Sequence, residues 1–232
     1  MGLYLEDSYM KEFDATVKEV NLKFIILDRT AFYPQGGGQP CDTGTITSQE
    51  KQYNVIFVKK IEGKISHEVE QEGLKQGDLV KCKIDWEKRH TIMRYHTAAH
   101  ILSTVINKET GAHITGNQLS LEKARIDFDL EKFNREELAN YARMANEVIA
   151  KRLQVTIEVL QREEVFKIPA VVKLKKVLPE SIKQIRVVSI SGFDRQACAG
   201  THVSNTSEIG EIEIIKAENK GASNRRLYFT LK

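Results

Sequence analysis

Two short words constrain this chain more than anything else in it. His96-Thr97-Ala98-Ala99-His100 and Cys198-Ala199-Gly200-Thr201-His202 lie far apart, and together they offer three imidazoles and a thiol. Residues four apart on a helix share one face, about 5–6 Å between Cβ atoms, so each word can aim two donors at a single point. A fold that brings the words together gathers a nitrogen and sulfur donor set suited to zinc. Taken singly, each word also fits a solvated histidine or a cysteine that fills a small core space. Their coincidence favours metal, because the chain has only six His and three Cys and four of those residues fall in these words. Thr97 stands where a HExxH zinc protease carries its glutamate base, which excludes that class.

Composition narrows the remainder. The 232 residues are 41% hydrophobic, with no apolar run of membrane-spanning length and no apolar signal after the start, where Glu6 and Asp7 stand instead. Three dispersed cysteines point to a reducing compartment, so a cytoplasmic protein is expected. The net charge of +3 permits nucleic acid without requiring it. Bases cluster at Lys173, Lys175, Lys176, Lys183 and Arg186, and again at Lys220, Arg225 and Arg226. The first cluster fits a solvated face as well as a phosphate track.

Short β-rich runs at Asp14–Val20, Lys23–Asp28, Val55–Lys59, Lys64–Val69 and Asp78–Ile84, divided by glycine or polar turns, predict a small barrel over residues 1–86. The pattern then changes. Ile92, Tyr95, Ala99, Leu102 and Ile106 recur at helical steps from Arg89 to a Gly111 cap, with His96 and His100 on the same helix. A strand at Ala124–Phe128 follows. Asn134 and Glu137 open a second helix whose Leu138, Tyr141, Ala145, Val148 and Ile149 face a core. Strands at Val155–Val159, Ile185–Ile190, Glu211–Ala217 and Leu227–Leu231 complete a sheet, with Cys198 and His202 in the loop after the Ile185 strand. The expectation is an α+β protein: the N-terminal β-barrel, then an α+β domain over 87–232 with helices packed on a largely antiparallel sheet. Phe32-Tyr33-Pro34-Gln35-Gly36-Gly37-Gly38-Gln39-Pro40 is either a tight hairpin turn or a loop whose backbone a ligand approaches closely.

HTAAH, CAGTH, FYPQGGGQP and the closing Lys220-Gly221-Ala222-Ser223-Asn224-Arg225-Arg226 occur in one order. In that order they resemble the free-standing alanyl-tRNA editing proteins called AlaX, of the medium-length type. The glycine motif belongs to the medium and long types. The resemblance implies a trans-acting, ATP-independent hydrolase of the ester that joins serine, or glycine, to alanine tRNA, with no membrane and no obligate protein partner. A synthetase pocket shaped for alanine cannot strongly reject an analogue that merely gains a hydroxyl, so a second site has to clear the error. It further implies one zinc per chain on His96, His100, Cys198 and His202, with Gly36, Gly37 and Gly38 against the substrate and Lys220, Arg225 and Arg226 against RNA. Thr115 is the candidate partner of the serine hydroxyl, a turn-forming threonine being the competing reading. Four protein ligands close a tetrahedron, so three readings stay open: one ligand yields, coordination expands, or the ion positions the aminoacyl group while another group orients water. Two rival classes share these features, a non-catalytic zinc-stabilised RNA-binding module and a zinc hydrolase of small esters.

Overall fold

The computed structural model describes residues 2–131, 135–167, 181–221 and 223–232. The chain divides into two compact units, Met1–Met93 with Gln118–Leu121, and Arg94–Asn117 with Glu122–Lys232. Among the described residues no helix is long and apolar enough to cross a membrane. The expected Asn134 cap and the lysines at 173, 175 and 176 lie outside the described residues.

The first unit holds a closed six-stranded barrel. Its strands are β1 (Glu12–Asn21), β2 (Phe24–Leu27), β3 (Gly44–Ser48), β4 (Lys51–Ile61), β5 (Lys64–Val69) and β6 (Leu79–Ile84), in the order β1-β2-β5-β4-β3-β6. Antiparallel pairing of Phe13 with Cys82 and its neighbours joins β6 back to β1, so the barrel leaves no open edge. Alternation drives the packing. In β6, Val80, Cys82 and Ile84 point inward between exposed neighbours, and they meet Ala15, Val17, Ile25, Ile46, Val55 and Val58 in one core. Sequence reading passes over β3 and the first half of β4. Their two-residue turn is Gln49-Glu50, with φ of 47° and 67°, so it makes the positive-φ hairpin turn without the usual Asn or Gly signal.

Helix α1 (Trp86–Thr110) starts three residues before the expected Arg89, because Asp85 caps it: Lys88 N donates to Asp85 Oδ1 at 3.2 Å. It ends as expected at Gly111, whose φ is +75° and whose N–H returns to Asn107 O at 2.8 Å. In the first turn Arg89 is completely buried. Its Nε donates to Asp42 Oδ1 at 2.9 Å, its Nη1 to Ser8 O at 2.9 Å and its Nη2 to Ala31 O, and Asp42 also accepts from Tyr33 N at 2.6 Å. One guanidinium thereby fixes the segments before and after the glycine motif.

Two sheets, not one, make up the second unit. Strands β9 (Val155–Gln161), β10 (Gln184–Ile190) and β11 (Asp194–Ala197) form the order β11-β10-β9, while β12 (Ile212–Asn219), β13 (Arg225–Leu231), β8 (Ala124–Phe128) and β7 (Ile114–Leu119) follow in that order in the other. The Ile185 strand therefore belongs with β9 and not with β12 and β13. Each pairing of β9 to β13 given by the register is antiparallel, in keeping with the expected α+β class. Ile92, Tyr95, Ala99, Leu102 and Ile106 of α1 are all buried, as their spacing requires, and Tyr95 lies against Phe229 with ring centroids 5.9 Å apart. Helix α2 (Arg135–Ala150) buries Tyr141, Ala145, Val148 and Ile149 and exchanges hydrogen bonds between Asn146 and the Ile212 backbone. The short α3 (Arg162–Val165) caps the end of β9.

The barrel contains one titratable group whose burial has a measurable consequence. His67 is fully buried; a carbonyl can only accept, so Nδ1–H donates to Ile25 O at 3.0 Å and leaves Nε2 to accept from the Thr30 hydroxyl at 2.8 Å. Burial pushes this imidazole from 6.5 down to about 4. Between those values only the unfolded chain takes up the proton, so stability is complete above pH 6.5 and declines as pH falls toward 4, by on the order of 3 kcal/mol. Urea midpoints measured from pH 7 to 4.5 are expected to fall more steeply for the wild type than for His67→Gln; parallel profiles would contradict this assignment.

Candidate metal centre

Helix register brings His96 and His100 to one side of α1, and the chain after β11 brings Cys198 and His202 to meet them. The donor atoms of the four residues all lie within 4.8 Å of one another. Cys198 Sγ is 3.5 Å from His96 Nε2 and 3.3 Å from His202 Nε2, and the rings of His96 and His202 are 4.2 Å apart between centroids. A tetrahedral zinc with Zn–N near 2.1 Å and Zn–S near 2.3 Å has donors about 3.3–3.7 Å from each other. Both sulfur-to-nitrogen distances match the edge of such a tetrahedron, and the donor types fit the ion.

Each half of the donor set is held from behind. Asp194 of β11, itself held by Thr104 Oγ1 at 2.9 Å and Gln196 Nε2 at 3.0 Å, accepts from His100 Nδ1 at 3.3 Å. Thr97 Oγ1 meets His202 Nδ1 at 3.1 Å and accepts from Val203 N at 3.2 Å. With both Nδ1 atoms engaged outward, both Nε2 atoms are left to face the centre. The loop itself is tied to β10, where Cys198 N donates to Arg186 O at 3.1 Å and Arg186 Nη1 donates to Cys198 O at 2.7 Å.

Electrostatics agree with a thiolate donor. Burial alone would raise the Cys198 thiol, yet the neighbouring His96 and His202 and the hydrogen bonds of His100 and His202 hold it well below the usual range. Burial and the neighbouring His96 push His202 down to about 3, which keeps that ring neutral. At His100 burial acts downward, but Asp194 and Cys198 outweigh it and raise the ring to about 10. A metal ion held there would have to displace a proton from His100.

The remaining candidates are distributed over both units. Gly36, Gly37 and Gly38 make a hairpin turn in the first unit, with reciprocal bonds between Gly36 and Gln39 at 3.1 and 2.9 Å and φ of 59° and 83° at Gly37 and Gly38. Thr115 lies exposed on strand β7, so the turn-forming reading of this residue does not hold. Lys220 sits in the β12–β13 connection, paired with Glu218 at 3.1 Å. Arg225 is buried and donates to the carbonyls of Gly221 and Asn224, and Arg226 holds Asp127 through two hydrogen bonds of 2.7 and 2.9 Å.

Sequence reading misses Asp194 and Gln196 because β11 is only four residues long and has no distinguishing alternation, and Thr104 because a threonine within α1 carries no signal of its own. At Thr97 the sequence speaks against a protease and is silent on the hydrogen bond to His202. If Asp194 orients His100 as the geometry indicates, Asp194→Asn is expected to weaken zinc binding by about 10–100-fold, measured by competition with a chromogenic chelator. Unchanged affinity would reduce Asp194 to a fold residue.

Comparisons with known proteins show the family of the chain. Residues 5–88 match the family described as tRNA synthetases class II (A), and residues 185–228 match the threonyl and alanyl tRNA synthetase second additional domain. The alanyl-tRNA editing protein AlaX-M of Methanosarcina barkeri is 50% identical, covering 99% of this chain and 98% of its own. That of Saccharolobus solfataricus is 44% identical with the same coverage. The alanine–tRNA ligase of Thermococcus kodakarensis is 39% identical over 98% of this chain, which amounts to 25% of the ligase. Matched end to end at these identities, the chain belongs to the AlaX-M family of alanyl-tRNA editing proteins.

Proposed function

We propose that this chain is a trans-editing hydrolase that cleaves the ester linking serine, and also glycine, to alanine tRNA in the cytoplasm, with one zinc per chain on His96, His100, Cys198 and His202. The observation that carries the reading is the convergence of those four donors in a chain that spans AlaX-M proteins from end to end. A zinc ion bound there would supply Lewis-acid polarisation of an ester carbonyl or an anchor for the aminoacyl group. The protein groups do the rest. Asp194 and Thr97 fix the orientation of two donor rings. Thr115 is assigned to the serine hydroxyl, Gly36, Gly37 and Gly38 to contact with the aminoacyl group, and Lys220, Arg225 and Arg226 to the RNA side.

Selectivity against correctly charged tRNA follows from hydrogen bonding. A site that pairs with the serine hydroxyl leaves a polar group unpaired when alanine enters. The chemistry needs no ATP, because ester hydrolysis is downhill.

The direct test is incubation of the zinc-loaded protein with Ser-, Gly- and Ala-charged alanine tRNA. Serine and glycine should be released and alanine retained, and one zinc per chain should be lost in both His96→Ala and Cys198→Ala. Full zinc in both variants would disprove a shared site, and no deacylation by a folded, zinc-loaded protein would disprove the enzyme.

Two substitutions test the substrate assignments. Thr115→Val should cost about 1–3 kcal/mol of discrimination between Ser- and Ala-tRNA, read from the ratio of the two hydrolysis rates; an unchanged ratio moves the selector elsewhere. Gly37 and Gly38 need positive φ, so a side chain there strains the turn regardless of substrate. Gly36 does not, and a Cβ on it meets only Pro34 O at 3.9 Å. Gly36→Val should therefore keep its melting temperature and zinc while losing Ser-tRNA hydrolysis. Retained hydrolysis would leave the glycines as a turn alone.

A further inference from the structure

The four-stranded sheet of the second unit has one face turned to its core and one turned to solvent. Ile126, Phe128, Leu227 and Phe229 are buried on the first. The alternate residues occupy the second, and cross-strand register sets them in rows: Glu218, Arg226 and Asp127 in one, Lys216, Tyr228 and Arg125 in the next. Side-chain contacts confirm the shared face. Arg226 holds Asp127, Tyr228 OH donates to Glu218 Oε2 at 3.4 Å, and Lys123 Nζ lies 5.8 Å from the centre of the Tyr228 ring.

A solvated sheet face ordinarily balances its charges across strands. This one does not. Among the described residues Lys123, Arg125, Lys216, Lys220 and Arg226 share it with two carboxylates, Asp127 and Glu218. The next pair along, Lys232 with Glu213 at 3.0 Å, is self-balanced. The surplus on this face alone equals the +3 of the whole chain. Asp127 is taken up by Arg226, and Glu218 is shared between Lys216 and Lys220. Among the described residues Arg125 has no ion pair, and its Nε is a covered donor without a partner. Lys216 and Lys220 remain 62% and 42% exposed.

We propose that this face, centred on Tyr228 and lined by Lys123, Arg125, Lys216 and Lys220, docks the phosphate backbone of the alanine tRNA acceptor arm. The proposal rests on the editing reading for the identity of the RNA. Charge complementarity supports it: a net surplus of cations on a β-surface tracks a phosphodiester chain, and the exposed part of a tyrosine ring between them suits a ribose or an unpaired base. The pairing of Arg226 and Glu218 with their neighbours holds the cations in place and is not itself displaced.

The test measures binding of uncharged alanine tRNA over a range of KCl concentrations. Lys123→Ala/Arg125→Ala/Lys216→Ala should raise Kd at low salt by at least about tenfold and reduce the log–log salt slope by about two to three. Lys123→Arg/Lys216→Arg should bind as the wild type does. Lys216→Glu, on a side chain 62% exposed, should weaken binding on its own. Zinc content and melting temperature serve as fold controls. Wild-type Kd and slope in both the triple variant and Lys216→Glu would overturn the docking face while leaving deacylation untouched. A wild-type protein that binds this RNA through these residues yet hydrolyses no ester would overturn the editing reading and leave the face standing.

Discussion

Gathering three imidazoles and a thiolate in one small, water-poor space is the constraint on which the second unit depends. Buried polar groups cost several kcal/mol each unless they are paired, and the four donors, within 4.8 Å of one another, are held by Asp194, by Thr97 and by one another. The sequence meets the constraint with register and ties. Register comes from the four-residue spacing on α1, which needs nothing beyond a continuous helix. The ties come from Arg186, which clasps the Cys198 backbone, and from Thr97, which holds both the Val203 amide and the His202 ring. Thr97 therefore serves both halves of the site from between the two histidines of its own word.

A second buried charge organises the first unit. Arg89 and Asp42 are withdrawn from water together, and such a pair contributes little net stability because desolvation offsets attraction. Removing either partner is different, since it strands the other. The guanidinium spends its remaining donors on the Ser8 and Ala31 carbonyls, and Asp42 also accepts from the Tyr33 amide. The pair thus specifies the path of the backbone on both sides of Gly36-Gly37-Gly38, whose turn is further pinned by Leu119 N donating to Gly38 O at 2.8 Å. Three glycines in succession are costly to order. A rigid frame at both ends is what lets them adopt one conformation.

What the sequence made legible were features with a strong local signal. The barrel strands β1, β5 and β6 alternate clearly, α1 has an unbroken helical period with a glycine stop, and the metal words stand out by residue scarcity. What it hid were features decided by distant partners. The turn at Gln49-Glu50 carries no glycine, so β3 went unseen. Strand β11 is four residues long, so sequence alone puts the loop bearing Cys198 one strand too early and misses Asp194. The assignment of Ile185–Ile190 to a single sheet failed because alternation tells which face of a strand is buried and not which strand lies beside it. Arg89 is the clearest case of all: a charged residue in a helix first turn reads as solvent-exposed, and only the Asp42 carboxylate, far away in the chain, reverses that.

The relatives divide into two kinds, and the division bears on what a chain of this sort must do for itself. AlaX-M of Methanosarcina barkeri aligns over 98% of its own length, whereas the aligned part is 25% of the Thermococcus kodakarensis alanine–tRNA ligase. A module tethered to a larger protein meets RNA held by its neighbour at an effective concentration on the order of millimolar, so it needs little affinity of its own. A module working in trans has no such help. It must capture charged tRNA from solution, and long-range attraction to phosphates is the cheapest way for a small protein to raise its encounter rate. A chain of small net charge meets that need by concentrating its surplus cations, and among the described residues the outer face of the four-stranded sheet is where five cations stand against two carboxylates.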